Sequence, residues 1–282
     1  MNKWVVGARP RTLPAAFAPV LVATSLAGSD ADFAMAGLAL VVSLALQVGV
    51  NYANDYSDGI KGADDNRVGP TRLVASGLAS AKSVKQAAFI SFAVAAAVGL
   101  VLAASTSLWL VAVGAAAIFA AWTYTGSKRP YGYLGLGEFS VFLFFGLVAT
   151  MGSYYVQTLE LTWQSLIVAV PMGLLACAIL AINNLRDRAQ DELVGKRTLA
   201  VRLGDSRARK LFIALLLLAH VSALAVPGEN TLITLALLPQ TLIIANQVRS
   251  GATGPALIPL LGKTGELQLF FAFLLALALV LY

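Results

Sequence analysis

Charge is what this sequence has least of: 12% of its 282 residues are Asp, Glu, Lys or Arg, where a soluble domain carries about 25%. With 59% of the residues hydrophobic, that scarcity excludes a soluble globular enzyme. It also excludes a disordered chain, which needs low hydrophobicity and high charge. Cysteine and histidine are nearly missing, with one of each, Cys177 and His220. No disulfide framework or thiolate metal site can form within one chain, and both residues lie in apolar runs, where a packing or partnered role is expected. Gly132, Gly135 and Gly137 follow no strand, so they are not a nucleotide-binding loop. A membrane-embedded protein remains, with nothing left over for a soluble domain.

About 20 apolar residues cross the roughly 30 Å of bilayer hydrocarbon as a helix. Apolar runs bounded by Gly, Pro and charged clusters predict nine spans, near 13–28, 33–56, 84–104, 107–125, 136–156, 162–185, 209–226, 230–248 and 265–282. The first is interrupted by Pro14 and Pro19 and preceded by Lys3, Arg9 and Arg11, like the charged region of a signal peptide; prolines this dense argue for a retained span instead. All 20 Lys and Arg residues fall at the N-terminus or in the connections after spans 2, 4, 6 and 8, whereas the connections after spans 1, 3, 5 and 7 hold only Asp30, Asp32, Glu160 and Glu229. The positive-inside rule then places the N-terminus in the cytoplasm and the C-terminus outside a cell membrane. The net charge of +6 is thereby a topology signal that favours anionic lipid head groups, and no nucleic-acid partner is expected.

Two acidic segments share the basic side. Span 2 ends in Asn51-Tyr-Ala-Asn54-Asp55-Tyr-Ser-Asp58, followed by Asp64 and Asp65, and span 6 ends in Asn183-Asn184-Leu-Arg-Asp187-Arg-Ala-Gln-Asp191-Glu192. Asn54 to Asp58, Asn183 to Asp187 and Asp187 to Asp191 are each four residues apart, which stacks them on one helix face. Asn54 to Asn183 and Asp58 to Asp187 are both offsets of 129 residues. This predicts a parallel repeat of four helices, with halves near 1–130 and 131–260 and one helix added, within a single domain spanning 1–282. Each acidic segment is trailed by a basic, glycine-bounded one, Gly69 to Gly77 with Arg72 and Gly195 to Gly204 with Lys196 and Arg197. Gln47, Asn51, Asn54 or Asp55, and Asp58 at helical spacing carry polar groups into the membrane, where they normally face a protein interior or a watery cavity. The expected fold is therefore all-α, with nine transmembrane helices around a central polar cavity open to the cytoplasm.

Carboxylates on two facing helix ends repel one another unless a cation sits between them. Oxygen donors without His or Cys favour Mg²⁺, which takes one or two carboxylates, keeps several waters and draws further ligands from phosphates. Arg72, Lys196 and Arg197 supply the charge a diphosphate needs. Together these features predict a lipid-soluble diphosphate as ligand.

On these residues the chain resembles the UbiA-type superfamily of intramembrane prenyltransferases. The resemblance is closest to the branch acting on 1,4-dihydroxy-2-naphthoate, through Asn54-Asp55-Tyr-Ser-Asp58-Gly-Ile-Lys-Gly-Ala-Asp64, Gly69-Pro-Thr-Arg72-Leu-Val, Tyr124-Thr-Gly126 with Tyr133-Leu-Gly-Leu-Gly-Glu138, and Asn183-Asn-Leu-Arg-Asp187. It implies Mg²⁺ held by Asp58, Asp187 and Asp191, with Asn54, Asp55 and Asn183 assisting and either Asp64 or Asp65 contributing, since position 62 is Gly where the superfamily often has a further Asp. The metal would hold the diphosphate of a polyprenyl donor, whose allylic cation is attacked by an aromatic acceptor that loses its carboxylate to give demethylmenaquinone. The residues expected to carry the chemistry are Asp58, Asp187, Asp191 and Arg72. Asn51, Arg72, Tyr124, Lys128, Lys196 and Arg197 are expected to contact substrates. Lys128 has three readings open: a diphosphate contact, a contact to the acceptor carboxylate, or placement by the positive-inside rule. Tyr52, Tyr56, Trp122 and Tyr124 are either cation-stabilising faces or an interfacial aromatic belt. The alternatives are the same fold acting on 4-hydroxybenzoate and, from another class, a secondary transporter, whose site would be expected near mid-membrane at broken helices.

Overall fold

Prolines and capping residues mark where the helices begin. The structure, a computed structural model, describes residues 2–62, 69–127 and 129–282; Asp64, Asp65 and Lys128 lie outside them. The described residues form eleven α-helices and short tighter turns, with no strand among them. Helix α1 (Lys3–Ala8) meets α2 (Pro14–Ala27) at a bend of 54°, where Pro10 and Pro14 remove backbone donors. Helix α3 (Phe33–Ile60) is capped by Asp32, whose carboxylate accepts the Ala34 and Met35 amides at 2.9 and 3.1 Å. Ser80 caps α4 (Ala81–Ser105), and α5 (Trp109–Thr123) follows after a tight turn. Helix α6 (Gly137–Val141) continues through a π-helical turn, Phe142–Val148, into α7 (Ala149–Thr158). A reciprocal Thr162–Ser165 capping box starts α8 (Trp163–Leu193). Thr198 caps α9 (Leu199–Ala223), and α10 (Leu238–Arg249) and α11 (Leu257–Val280) complete the bundle.

Each expected span is helical, but the spans are not uniform. Among the described residues six helices are long and apolar enough to cross a membrane, or seven with the bent α1–α2 pair counted as one. Helix α5 has 15 residues, about 22 Å of rise against about 30 Å of hydrocarbon. Helix α9 breaks at Gly204, with φ 74°, and carries Arg202, Asp205, Arg207, Arg209 and Lys210 in its first half. The last span begins earlier than expected, because α11 starts at Leu257 and takes Lys263 into the helix.

Helix α8 is the central one: 72% of its apolar stretch is buried, against 22% for α3. Its Met172, Leu175 and Ile182 are fully enclosed with Phe212 and Leu216 of α9 and Phe271 and Leu275 of α11. A second core at the charged end joins Tyr52, Leu73, Val84 and Phe92. Outside, Phe33, Phe119, Phe139 and Val280 are exposed, as expected of helices whose solvent is lipid. The chain is a multi-pass membrane protein. His220 and Cys177 are buried in it, His220 sharing a hydrogen bond with Thr241 at 2.9 Å.

Candidate active site

At 28 and 31 residues, α3 and α8 rise about 42 and 46 Å, well past the hydrocarbon core. Their polar ends therefore emerge on one face, at the mouth of a cavity of about 700 Å³. The cavity follows α3 from Ala39 to Asp58, about 28 Å of helix. Its deep walls are apolar, formed by Val42, Leu102, Leu110, Phe144, Phe145 and Val156; its mouth holds Asn51, Asn54, Asp58, Arg72, Asn183, Arg186 and Lys196.

The two acidic segments meet through one ammonium. Lys196 Nζ lies 3.3 Å from Asp58 Oδ2 and 3.7 Å from Asp191 Oδ1, so a carboxylate from each helix end reaches the same cation position. The other Asp58 oxygen accepts the Tyr133 hydroxyl at 2.7 Å, and the Tyr133 ring lies between Lys61 and Lys196, 4.9 and 5.2 Å from its centroid. Lys61 donates to the Thr125 carbonyl at 2.9 Å, and burial lowers its pKa. Asp187 is gripped in bidentate fashion by Arg186 of the same helix, with Nε and Nη2 each at 2.7 Å, and Arg186 also donates to Asn183 Oδ1 at 2.8 Å. Arg186 Nη1 is buried without a hydrogen-bond partner among the described residues. Backbone comes close to this group: a Cβ on Gly69 would stand 3.3 Å from the Arg186 Cζ.

Other polar residues at the mouth are committed to holding the scaffold. Asp55 is fully buried, and its two oxygens accept the backbone amides of Leu73 and Val74 at 2.8 and 3.0 Å. It thus anchors the loop that carries Arg72. Asn51 donates to the Ala8 carbonyl and to Thr12 Oγ1, and Gln47 to the same Thr12 hydroxyl. These bonds tie the α1–α2 bend against α3. Asn54 Oδ1 accepts from Thr125 at 2.7 Å. Arg197 is exposed and is not part of the cavity lining. Of the four candidate aromatics only Tyr124 lines the cavity; Tyr52 bonds the Trp4 carbonyl at 2.7 Å, and Tyr56 stacks on Trp122 beneath Lys85.

Among the described residues no three His, Cys, Asp or Glu side chains are grouped closely enough to form a metal cage. The position shared by Asp58 and Asp191 fits a cation that takes two carboxylates from protein and the rest of its shell elsewhere, with the Lys196 ammonium as its stand-in. Sequence reasoning missed Arg186, Tyr133, Glu138 and Asn184. Arg186 stood inside a quoted motif but was counted only as a positive-inside charge.

The UbiA prenyltransferase family model matches residues 16–255. The chain is 51% identical over 283 residues to 1,4-dihydroxy-2-naphthoate octaprenyltransferase of Mycobacterium tuberculosis, covering 98% of this chain and 96% of that one. It is 42% identical over 223 residues to the protein of the same name from Escherichia coli, covering 76% and 72%. A solved UbiA homolog from Archaeoglobus fulgidus, bound to GPP and Mg²⁺, superposes with a TM-score of 0.72 at 15% identity over the whole of both chains, which shows a shared fold.

Proposed function

The chain belongs to the UbiA prenyltransferase family, and from that premise we propose that it transfers a polyprenyl group from an allylic diphosphate to 1,4-dihydroxy-2-naphthoate, releasing diphosphate and CO₂ and giving demethylmenaquinone in its reduced, quinol form. One observation carries this reading: carboxylates from the ends of α3 and α8 reach one cation position at the mouth of a cavity that is cationic there and apolar beyond. The names of the relatives in Mycobacterium tuberculosis and Escherichia coli support the acceptor and make an octaprenyl donor the first to test. A secondary transporter is disfavoured because both acidic groups lie at helix ends, not at mid-membrane breaks.

Asp58 and Asp191 would hold Mg²⁺ as the cofactor, with oxygen ligands from amides, water and phosphate, and the ion would supply electrostatic stabilisation of the negative charge growing on the leaving diphosphate. The roles of the protein side chains follow from their placement. Arg72, Arg186 and Lys196 donate to diphosphate oxygens, and these bonds strengthen as the allylic C–O bond lengthens and its electron pair moves to oxygen. Lys196 then exchanges its two carboxylates for the donor. Asp187 keeps Arg186 in position. The apolar walls exclude water from the allylic cation until the acceptor ring attacks it. The mouth faces the cytoplasm, with the N-terminus on that side and the C-terminus outside. The repeat, with halves 1–130 and 131–260, belongs to the same reading, supported by α3 and α8 ending in like segments.

The test is incubation of purified protein in detergent or lipid with Mg²⁺, a polyprenyl diphosphate and either 1,4-dihydroxy-2-naphthoate or 4-hydroxybenzoate. Prenylated product with the naphthoate is expected. Product with 4-hydroxybenzoate alone would refute the acceptor assignment.

A further inference from the structure

Beside its charged mouth the cavity has a second polar wall made of uncharged groups. Gly173, Cys177, Leu180 and Asn184 recur at three- and four-residue spacing on α8, so they share one face, and that face packs on α6 and the π-helical turn. Two glycines allow the approach: a Cβ on Gly146 would stand 2.6 Å from the Gly173 Cα. In this register Cys177 Sγ donates to the Glu138 carbonyl at 3.1 Å, and Asn184 Nδ2 donates to Glu138 Oε1 at 3.1 Å. Glu138 is 9% exposed, and its Oε2 has no hydrogen-bond partner among the described residues. Tyr124, Tyr131, Ser140 and Asn184 line the cavity here. The Tyr131 hydroxyl is shared with Ser140 at 2.8 Å.

A carboxylate only 9% exposed is costly to bury, and packing alone would be met by Gln at the same volume. Its effect falls on Asn184. The Asn184 amide is turned with its nitrogen on Glu138 Oε1, which leaves Oδ1 as the acceptor for whatever occupies the cavity. A wall lined by Tyr124, Tyr131, Ser140 and Asn184, with no cationic side chain among them, suits a hydroxyl donor better than a phosphate. The neighbouring tyrosines offer aromatic edges rather than cations.

We propose that Asn184, oriented by Glu138 and flanked by Tyr124, is the subsite that receives a ring hydroxyl of the aromatic acceptor. The proposal rests on the prenyl-transfer reading above. Asn184 Oδ1 accepts the hydroxyl and sets which ring carbon faces the allylic carbon. As ring π electrons form the new C–C bond and the diphosphate leaves with the C–O pair, the hydroxyl becomes a stronger donor, so the bond to Asn184 strengthens toward the transition state. Glu138 is a positioning residue acting through Asn184.

The test compares full-length wild type, Glu138→Gln and Asn184→Ser in one membrane mimetic. KM is measured separately for acceptor and donor, and diphosphate release is measured without acceptor. Both variants are expected to raise the KM for 1,4-dihydroxy-2-naphthoate about tenfold and to reduce the preference for it over a monohydroxy-2-naphthoate. The donor KM and acceptor-free diphosphate release should stay within about twofold. Asn184→Ser carries the comparison independently if Glu138→Gln lowers the melting temperature. Unchanged acceptor KM in both folded variants overturns the subsite alone. A loss confined to the donor KM or to diphosphate release also overturns it, because the wall would then act on the leaving group or the allylic cation. A wild type that prenylates no naphthoate removes the prenyl-transfer reading and the subsite with it.

Discussion

Replacing Asp55 with Asn separates a loop anchor from a metal ligand. Both Asp55 oxygens accept backbone amides, Leu73 at 2.8 Å and Val74 at 3.0 Å, in a fully buried position. Asn keeps one acceptor oxygen and turns an NH₂ group toward the second amide, so one charge-assisted bond is lost and one buried N–H is left without an acceptor. A bond to a charged group contributes about 1.5–3 kcal/mol and an unsatisfied buried donor costs about 1–3 kcal/mol, of which roughly 3 kcal/mol in total falls on this loop. That is about a hundredfold increase in the open population of the segment carrying Arg72. Hydrogen exchange read by mass spectrometry should show peptides containing Leu73 and Val74 exchanging about a hundredfold faster, while peptides from α8 and α11 are unchanged. Affinity for a prenyl diphosphate should fall with it, because Arg72 is displaced. Unchanged exchange at Leu73 and Val74 together with weakened Mg²⁺ binding would refute the anchor role and restore Asp55 as a ligand.

The other predictions concern charge, packing and metal. Asp58→Asn and Asp187→Asn should each lower turnover by about 10²–10³, the range for removing a preorganised electrostatic partner, while circular dichroism stays that of the folded protein; full activity of Asp58→Asn would contradict the cation site, and full activity of Asp187→Asn the positioning of Arg186. Gly146→Val should lower thermal stability by about 1–3 kcal/mol, because a Cβ there meets the Gly173 backbone; an unchanged melting temperature would show that α8 and the π-helical turn are not locked at this crossing. Chelation should abolish product formation and Mg²⁺ restore it; restoration by Zn²⁺ alone would argue against an oxygen-only donor set.

The site was legible in the sequence where it follows helix period and charge sign. Asn54 with Asp58, and Asn183 with Asp187, stand four apart, so spacing alone put them on common faces. Asn54 and Asp55 are adjacent, about 100° apart around the helix, so they point in different directions. Only the loop position showed that Asp55 turns away to Leu73 and Val74. Tyr133, Glu138 and Asn184 are defined by partners 46 to 75 residues distant, and no local pattern encodes such pairing. Helix ends were misplaced where charges entered helices: Lys263 read as part of a connection, yet α11 includes it beside the buried Thr264 and Gly265. The Gly204 break in α9 likewise has no periodic signal, because the charges on both sides of it read as one loop.

The central claim is that the ends of α3 and α8 jointly hold the cation that binds the donor's diphosphate. Anomalous diffraction from crystals grown with Mn²⁺ and a non-reactive prenyl thiodiphosphate tests it most directly. The predicted result is a manganese peak between the Asp58 and Asp191 carboxylates, with Lys196 moved from between them onto the diphosphate. A peak that touches neither carboxylate, or one bound by a single helix end with Lys196 still bridging Asp58 and Asp191, would contradict the account.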